Sequence, residues 1–451
     1  MGFKTPIDDF VRKYVDSKGT RFHMPGHKGT GFLGCEALDI TEIKGADVLY
    51  SATGIIKESE DNASELFGSY HSFYSTEGST LCIKSMLSLV ALNAKHNGRA
   101  RILAGRNAHK AFVYACALLD IDVIWMYGVC DEHLCSCSLT KDSVENHLKT
   151  SEFLPDAVYI TSPDYLGKMA DVKGIADVCQ AYGVPLLVDN AHGAYLKFLE
   201  NSLHPLDLGA DMCCDSAHKT LPVLTGGAYL HINKNSKFFC DLLHNEIRKR
   251  MSIFASTSPS YLVLESLDLC NDYLRAKYPD ELKSVLDKTI EVKDSLKKVG
   301  FVIENTDPLK IVINAEQSGI DGNELADILS DNKIEVEFAD KFFVVLMVAV
   351  GNTENDFSSL LKVLSNVKLT KGLPTQKILK TFQPTAVMSI RDAVMSKSET
   401  VSVENSVGRI CASPTVSCPP ALPIVISGEV ITEEAVSEFL KYNIHKVDVV
   451  K

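Results

Sequence analysis

The chain lacks any long apolar run. Its longest purely apolar stretch lies near Phe342 to Val350, far short of the roughly 20 residues that a membrane-spanning helix needs, so no membrane partner is expected. It also lacks a basic excess. The formal net charge is -12, which argues against a nucleic-acid surface and is compatible with cationic small molecules. No apolar stretch backs the charge in Met1-Gly2-Phe3-Lys4-Thr5-Pro6, so no secretory signal is expected. Pro6 stands where a myristoylation signal wants Ser or Thr. There is no low-complexity tract, no internal repeat and no standard zinc spacing. Cys130, His133, Cys135 and Cys137 come nearest to a metal nest, but no second ligand pair follows them, and no metal is expected.

What is present is the composition of a globular protein, 45% hydrophobic and 23% charged. With 451 residues, the chain is long enough for about two or three domains. An odd count of 13 cysteines favours free thiols in a reducing, cytoplasmic setting.

Thr5-Pro6 followed by Asp8 and Asp9 predicts a helix with a capping hydroxyl, running to about Ser17 and stopping at Gly19. In Phe22-His23-Met24-Pro25-Gly26-His27-Lys28-Gly29 the Pro-Gly pair forbids a helix, leaving either a structured turn or a loop bordering an active site. Gly78-Ser79-Thr80 opens a stretch of helical apolar spacing. Free N–H groups, two hydroxyls and the positive end of a helix dipole make a phosphate seat there, although Ser-Thr before a helix is more often only a cap.

Strand and helix readings then alternate: strands at 101–104, 123–127, 157–161, 185–188 and 228–232, helices at 110–119 and 172–182. This predicts an α/β fold with a mainly parallel, doubly covered sheet. Ligands of such sheets sit at the carboxyl ends of strands. His109, Ser162, Asp189 and Ser216 share that address. Long helical material follows at 262–298 with a break near Tyr278-Pro279. A small α/β portion comes next, with pieces at 310–314, 322–330, 342–350 and 354–365. A linker with Gly372, Pro374 and Pro384 leads to a helix at 388–395.

Pyridoxal phosphate asks four things of a protein: a lysine amine for its aldehyde, a carboxylate at the pyridine nitrogen, a flat partner on the ring, and hydroxyls with N–H groups for the phosphate. Lys219, Asp189, His109 and the Ser79-Thr80 turn can supply these in that order, with Ser216 adding a hydroxyl. The plainer readings are a solvated lysine, a loop-capping aspartate and, for His192, a satisfied structural histidine. Against the first, Lys219 sits between a buried-looking strand and Thr225-Gly226-Gly227.

The motifs resemble those of the ornithine/lysine/arginine decarboxylases, fold type I pyridoxal-phosphate enzymes, in the compact branch without an N-terminal regulatory domain. The resemblance runs nearly end to end. It is carried by Met24-Pro25-Gly26-His27-Lys28-Gly29, Gly78-Ser79-Thr80, Arg106-Asn107-Ala108-His109-Lys110, Asp189-Asn190-Ala191-His192-Gly193, Ser216-Ala217-His218-Lys219, Ser256-Thr257-Ser258-Pro259, and Pro419-Pro420 with Gly428-Glu429.

It implies an aspartate-aminotransferase-like large domain. Lys219 would hold the cofactor aldehyde, Asp189 the ring nitrogen, and His109 and Ala191 the two ring faces. Gly78, Ser79, Thr80 and Ser216 would hold the phosphate. Thr257 would reach the phosphate of a neighbouring subunit, making a homodimer or larger homo-oligomer with its active site at the subunit interface. His218 or the freed Lys219 would return a proton. The implied reaction is decarboxylation of arginine, lysine or ornithine, in polyamine biosynthesis. The implied division is an N-terminal helix and entrance loop (1–30), a large cofactor domain (31–298), a small α/β domain (299–368) and a C-terminal segment (369–451).

Two departures from the family pattern, Asp164-Tyr165 after Ser162-Pro163 and Cys418-Pro419-Pro420-Ala421, touch substrate specificity. Glu429 and Asp164 are the candidate acceptors for a cationic substrate tail. The alternatives are an aminotransferase or another lyase on the same fold, or a cofactor-free scaffold. Aminotransferases commonly grip the substrate carboxylate with a small-domain arginine, and none occurs between Arg275 and Arg391. A decarboxylase gains nothing by stabilising the group it must expel.

Overall fold

The computed structural model describes residues 3–94, 98–128, 133, 135–239, 244–370, 383–414 and 423–451. Internal contacts divide the chain into two compact units, Met1–Leu92 with Cys179–Leu282, and Asn93–Val178 with Lys283–Lys451. The strands of the alternating region are β1 (His71–Ser75), β2 (Arg101–Gly105), β3 (Asp122–Met126), β4 (Ala157–Thr161), β5 (Leu186–Asp189), β6 (Met212–Asp215) and β7 (Ala228–Ile232).

In the first unit the order is β1-β7-β6-β5. β5 and β6 are parallel, with Asp189 opposite Cys214. β7 runs antiparallel both to β6, with Asp215 opposite Tyr229, and to β1, with Ser72 opposite His231. Every residue of these four strands is buried, as expected of a sheet covered on both faces. Their polar members, His71, Ser72, Ser75, Asp189, Asp215 and His231, must therefore find partners inside the protein.

In the second unit β4, β2 and β3 are parallel neighbours in that order. The expected alternation and mainly parallel pairing are thus present. The spans predicted at 110–119, 157–161, 172–182 and 228–232 match Lys110–Leu119, β4, Val172–Tyr182 and β7.

The first helix, Pro6–Asp16, is not capped by Thr5. The Thr5 hydroxyl turns to Asp9, and the N–H groups of Ile7 and Asp8 donate to Asp268 at 2.8 and 3.1 Å. A side chain 261 residues away does the capping, because a buried carboxylate is the stronger acceptor. The long helical region breaks between Tyr261–Ala276 and Tyr278–Lys298, where the break was expected.

The small α/β portion is an antiparallel sheet in the order β10-β11-β9-β8. Its strands are β8 (Val302–Ile303), β9 (Lys310–Asn314), β10 (Phe338–Ala339) and β11 (Phe343–Met347). Helices Gly322–Asp331 and Glu354–Leu364 accompany it. The apolar run at 342–350 is strand only over β11, since no ladder partner continues beyond Met347 and Phe343. The helix expected from Met388 starts at Ile390, because Ser389 caps it through the N–H of Asp392 at 3.0 Å.

At the C-terminus β12 (Ser398–Ser402) and β13 (Lys446–Val450) form an antiparallel pair. They help to enclose Val403, Cys411, Val425, Ile431, Phe439 and Val449. Gly372, Pro374 and Cys418-Pro419-Pro420-Ala421 lie outside the described residues. Among the described residues no helix is long and apolar enough to cross a membrane, and ten cysteines are free thiols, nine of them buried.

Candidate active site

Three strand ends of the first unit hold most of the site residues expected from the sequence. Where β1 ends, Ser75-Thr76-Glu77 leads into helix Gly78–Leu92. The turn is closed by Gly78 N–H donating to Gly226 O at 2.7 Å. Gly226 has φ +100°, and a Cβ there would lie 2.7 Å from the Thr76 carbonyl oxygen, so the close approach of the two turns requires glycine. Half-buried Ser79 and exposed Thr80 occupy the first turn of the helix. Ser216, just past β6, donates its hydroxyl to Ser79 Oγ at 2.8 Å. Two hydroxyls from segments 137 residues apart therefore meet at a helix N-terminus, where uncompensated N–H groups and the dipole favour an anion.

Asp189 ends β5 and is buried. Its Oδ1 accepts from Ala191 N–H at 3.2 Å and from Cys214 Sγ at 3.6 Å. Half-buried Ala191 follows it in the same loop. Lys219 stands on the single turn Ala217–Thr220, with Nζ 2.9 Å from Nε2 of buried His192. His192, read from the pattern as a satisfied structural histidine, has the lysine as a partner. A histidine three places after the β5 carboxylate shares its loop and meets the lysine there.

His218, next to the lysine, donates Nδ1–H to Gly227 O at 2.9 Å, which leaves Nε2 with the lone pair. Burial, opposed by that hydrogen bond and helped by the charge of Lys219, lowers its pKa. Thr257 lies exposed on a loop whose Ser256 N–H donates to Glu77 at 2.7 Å.

In the second unit His109 caps helix Lys110–Leu119, with Nδ1 accepting from Ala111 N–H at 3.1 Å. Glu429 is buried, accepting from Arg106 Nη2 at 2.9 Å and from Ile426 N–H at 2.7 Å. Burial pushes its carboxyl up, against the pull of Arg106. The Arg106 guanidinium also lies 5.4 Å from the Trp125 ring centroid. The negative charge of Glu429 is therefore already matched by an internal cation, a pairing that the sequence order did not reveal. Asp164 is buried as well, accepting from Ser136 Oγ at 2.7 Å and Lys168 N–H at 2.9 Å. Burial, partly offset by these bonds and by Lys310, pushes it up to about 6. Cys130 lies outside the described residues. His133 is engaged with Asp340 at 2.6 Å and the Tyr442 hydroxyl at 3.0 Å.

The family model for the Orn/Lys/Arg decarboxylase major domain matches residues 5–306, and that for the C-terminal domain of the same family matches residues 372–447. An arginine decarboxylase of Halalkalibacterium halodurans is 32% identical, over 95% of this chain and 91% of that protein. An arginine decarboxylase of Bacillus subtilis is 29% identical, over 97% and 93%. Among solved structures, lysine decarboxylase from Francisella novicida superimposes with a TM-score of 0.81 at 17% identity, covering 99% of this chain and 81% of that one; at that identity it shows the fold, which is that of fold type I. A major-domain match over more than half of the chain, backed by relatives near 30% identity over nearly their whole length, shows that the chain belongs to the Orn/Lys/Arg decarboxylase family and is a carboxy-lyase acting on a basic amino acid.

Proposed function

We propose that the chain works with pyridoxal phosphate held at the strand ends of the first unit, and that arginine is its preferred substrate. The observation that carries the cofactor reading is the contact of Lys219 Nζ with His192 Nε2, in the loop that Asp189 begins. The donor set fits the group. The hydroxyls of Ser79 and Ser216 touch at a helix N-terminus, and a buried carboxylate stands at the end of the adjacent strand.

In this reading Lys219 takes the aldehyde, Asp189 the ring nitrogen and Gly78, Ser79, Thr80 and Ser216 the phosphate, while Ala191 and His109 flank the ring. When bound, the cofactor supplies an aldehyde for the substrate amine and a protonated ring that accepts the electrons left behind as carbon dioxide departs. Asp189 keeps that ring charged because a buried anion favours a protonated neighbour. His192 accepts from Lys219 at Nε2, which orients the amine. His218 Nε2, the nitrogen not held by Gly227, takes up and hands back the proton that replaces the carboxylate. Asp164 holds the cationic tail of the substrate, since the charge of Glu429, the other candidate, is already matched by Arg106.

Arginine is favoured because four relatives at 29–32% identity are named arginine decarboxylases, while Escherichia coli lysine decarboxylases match at 21% and 19%. An aminotransferase is disfavoured, since Arg391 spends its guanidinium on the carbonyls of Ala117 and Leu118 at 3.0 and 3.1 Å.

The working unit is a homodimer or larger homo-oligomer completed by Thr257. That loop is exposed, and so are Phe22, Phe32, Leu33 and Ile253, apolar surface that a second copy would cover. Buried free thiols suit a reducing cytoplasm. The division at 30, 298 and 368 is kept as part of this proposal. The test offers arginine, lysine and ornithine side by side to the purified protein, with amine and carbon dioxide measured. Borohydride fixation followed by peptide mapping should mark Lys219. Release of carbon dioxide from none of the three, or a mark elsewhere, would sink the reading.

A further inference from the structure

One buried group of the first unit is not used by this chemistry. Asp215 closes β6 and accepts from three side chains. Asn190 Nδ2 donates to Oδ1 at 2.7 Å, and His204 Nε2 and His231 Nε2 donate to Oδ2 at 3.0 and 3.2 Å. All four residues are 0% exposed. His231 Nδ1 is in turn 2.7 Å from the Ser72 hydroxyl on β1, and the His231 ring lies 4.3 Å from that of Phe67. Leu206 N–H reaches His204 Nδ1 at 3.4 Å, which leaves the proton on Nε2 for Asp215. Gly193 is required beside this cluster, because a Cβ there would collide with Asn190 Oδ1.

The network joins the strands that carry the proposed cofactor residues. Ser72 is on β1, which leads to Ser79. Asn190 follows Asp189 at the end of β5, and Asp215 precedes Ser216 and Lys219 at the end of β6. Backbone pairing between β5 and β6 ends at Asn190 N–H donating to Cys214 O at 3.0 Å. Beyond that point the bond between Asn190 and Asp215 still ties the two loops.

We infer that Asp215, with Asn190, His204 and His231, is a positioning network that sets the spacing of the phosphate seat, the ring carboxylate and the lysine. This rests on the pyridoxal-phosphate reading above and deepens it. None of the four touches the reacting atoms. They act by fixing the strand ends, which must be held to within about half an ångström for such a site to work.

Three of these four residues, His204, Asp215 and His231, have ligand atoms close enough to hold a metal ion. Both imidazoles, however, already point an N–H at the carboxylate, so hydrogen bonding accounts for the arrangement.

The test separates holding the fold from holding the cofactor geometry. Apoproteins of wild type, Asn190→Ala, His204→Leu and His204→Gln are titrated with pyridoxal phosphate, following the visible band, and melted with and without it. Loss of a hydrogen bond to a charged group predicts about tenfold or more weaker cofactor binding for Asn190→Ala and His204→Leu, and hence a smaller rise in melting temperature on saturation. Glutamine, which keeps an N–H donor at similar reach, should recover most of the affinity. Cofactor affinities within twofold of wild type in both of the first two variants, whatever their apoprotein melting temperatures, would show a merely structural cluster and overturn the inference. Stoichiometric zinc in the purified wild type, lost together with the fold on chelation, would also overturn it. A wild type that takes up no pyridoxal phosphate overturns the cofactor reading itself, and the two failures are thereby distinguished.

Discussion

Two fully buried aspartates of the first unit accept three hydrogen bonds each, yet their acidities move in opposite directions. Burial acts to raise both. At Asp215 the N–H hydrogen bonds of His204 and His231, and the positive potential these rings bring, outweigh it, and the carboxyl is held well below the usual range, although burial lowers the His231 imidazole itself. Asp268 accepts from the N–H groups of Ile7 and Asp8 and from Ser59 Oγ at 2.5 Å. None of these donors carries a charge, and Asp8 adds a like one. Burial wins there and pushes Asp268 up to about 7. Glu265, one turn earlier on the same helix, is pushed up to about 8 by burial and then by Asp8. What decides the sign is a partner able to carry positive charge, and the number of donors does not.

Linkage turns this into a contrast in pH response. A carboxyl whose folded pKa is depressed adds stability above its ordinary value, near 4, and loses it only in strong acid. Asp215 is therefore indifferent to pH across the working range. A raised carboxyl keeps its proton in the folded chain after the unfolded chain has lost it. Stability then falls as pH rises from about 4 toward the raised values of Asp268 and Glu265.

The sharpest challenge to the contrast is Asp215→Ala, which strands three buried donors. It should cost about 3–5 kcal/mol and lower the melting temperature by about 10 °C at pH 8. A calorimetric loss below about 2 °C would break the comparison. Arg106→Met tests a third buried acid. Glu429 loses its cation and should cost about 2 kcal/mol at pH 8, and much less at pH 5, where the carboxyl can protonate. A cost independent of pH would show that packing dominates there.

Next in size, Asp268→Asn should flatten the fall in wild-type melting temperature between pH 5 and pH 8, since each unit of pKa displacement is worth about 1.4 kcal/mol. Parallel pH curves would remove Asp268 from the account. Smallest is Asp8→Asn. It takes a like charge from beside Asp268 and Glu265, and should move the pH window of lost stability to lower pH by under about one unit. Movement in the other direction would show that the ion pair of Asp8 with Arg12 matters more than repulsion.

Much of this molecule was legible in the order of its residues. Strand and helix periods stood out because each element is a short local pattern, and the carboxyl-end rule grouped Asp189 and Ser216 at one address. The rest depended on side chains far apart in the chain. Asp215 reads as part of the lysine motif until His204, His231 and Asn190 are seen around it. Thr5 has every local mark of a cap, and Asp268 supplants it from 263 residues away. Glu429 resembles a free acceptor until Arg106, 323 residues earlier, is found on it. Buried charge selects partners by proximity in space, which no local window records. β1 and β7 illustrate the same limit: the first was not read as a strand at all, and the antiparallel direction of the second comes only from its pairing.

Arg391 has a consequence beyond its hydrogen bonds. It grips the last carbonyls of helix Lys110–Leu119, and His109 caps the opposite end of that rod. A rigid bar clamped at its tail presents its head at a fixed height. A chain cut before Ser389 would hand those carbonyls back to water and leave the bar held by its buried residues alone, Phe112 against Trp125 and Tyr159 among them.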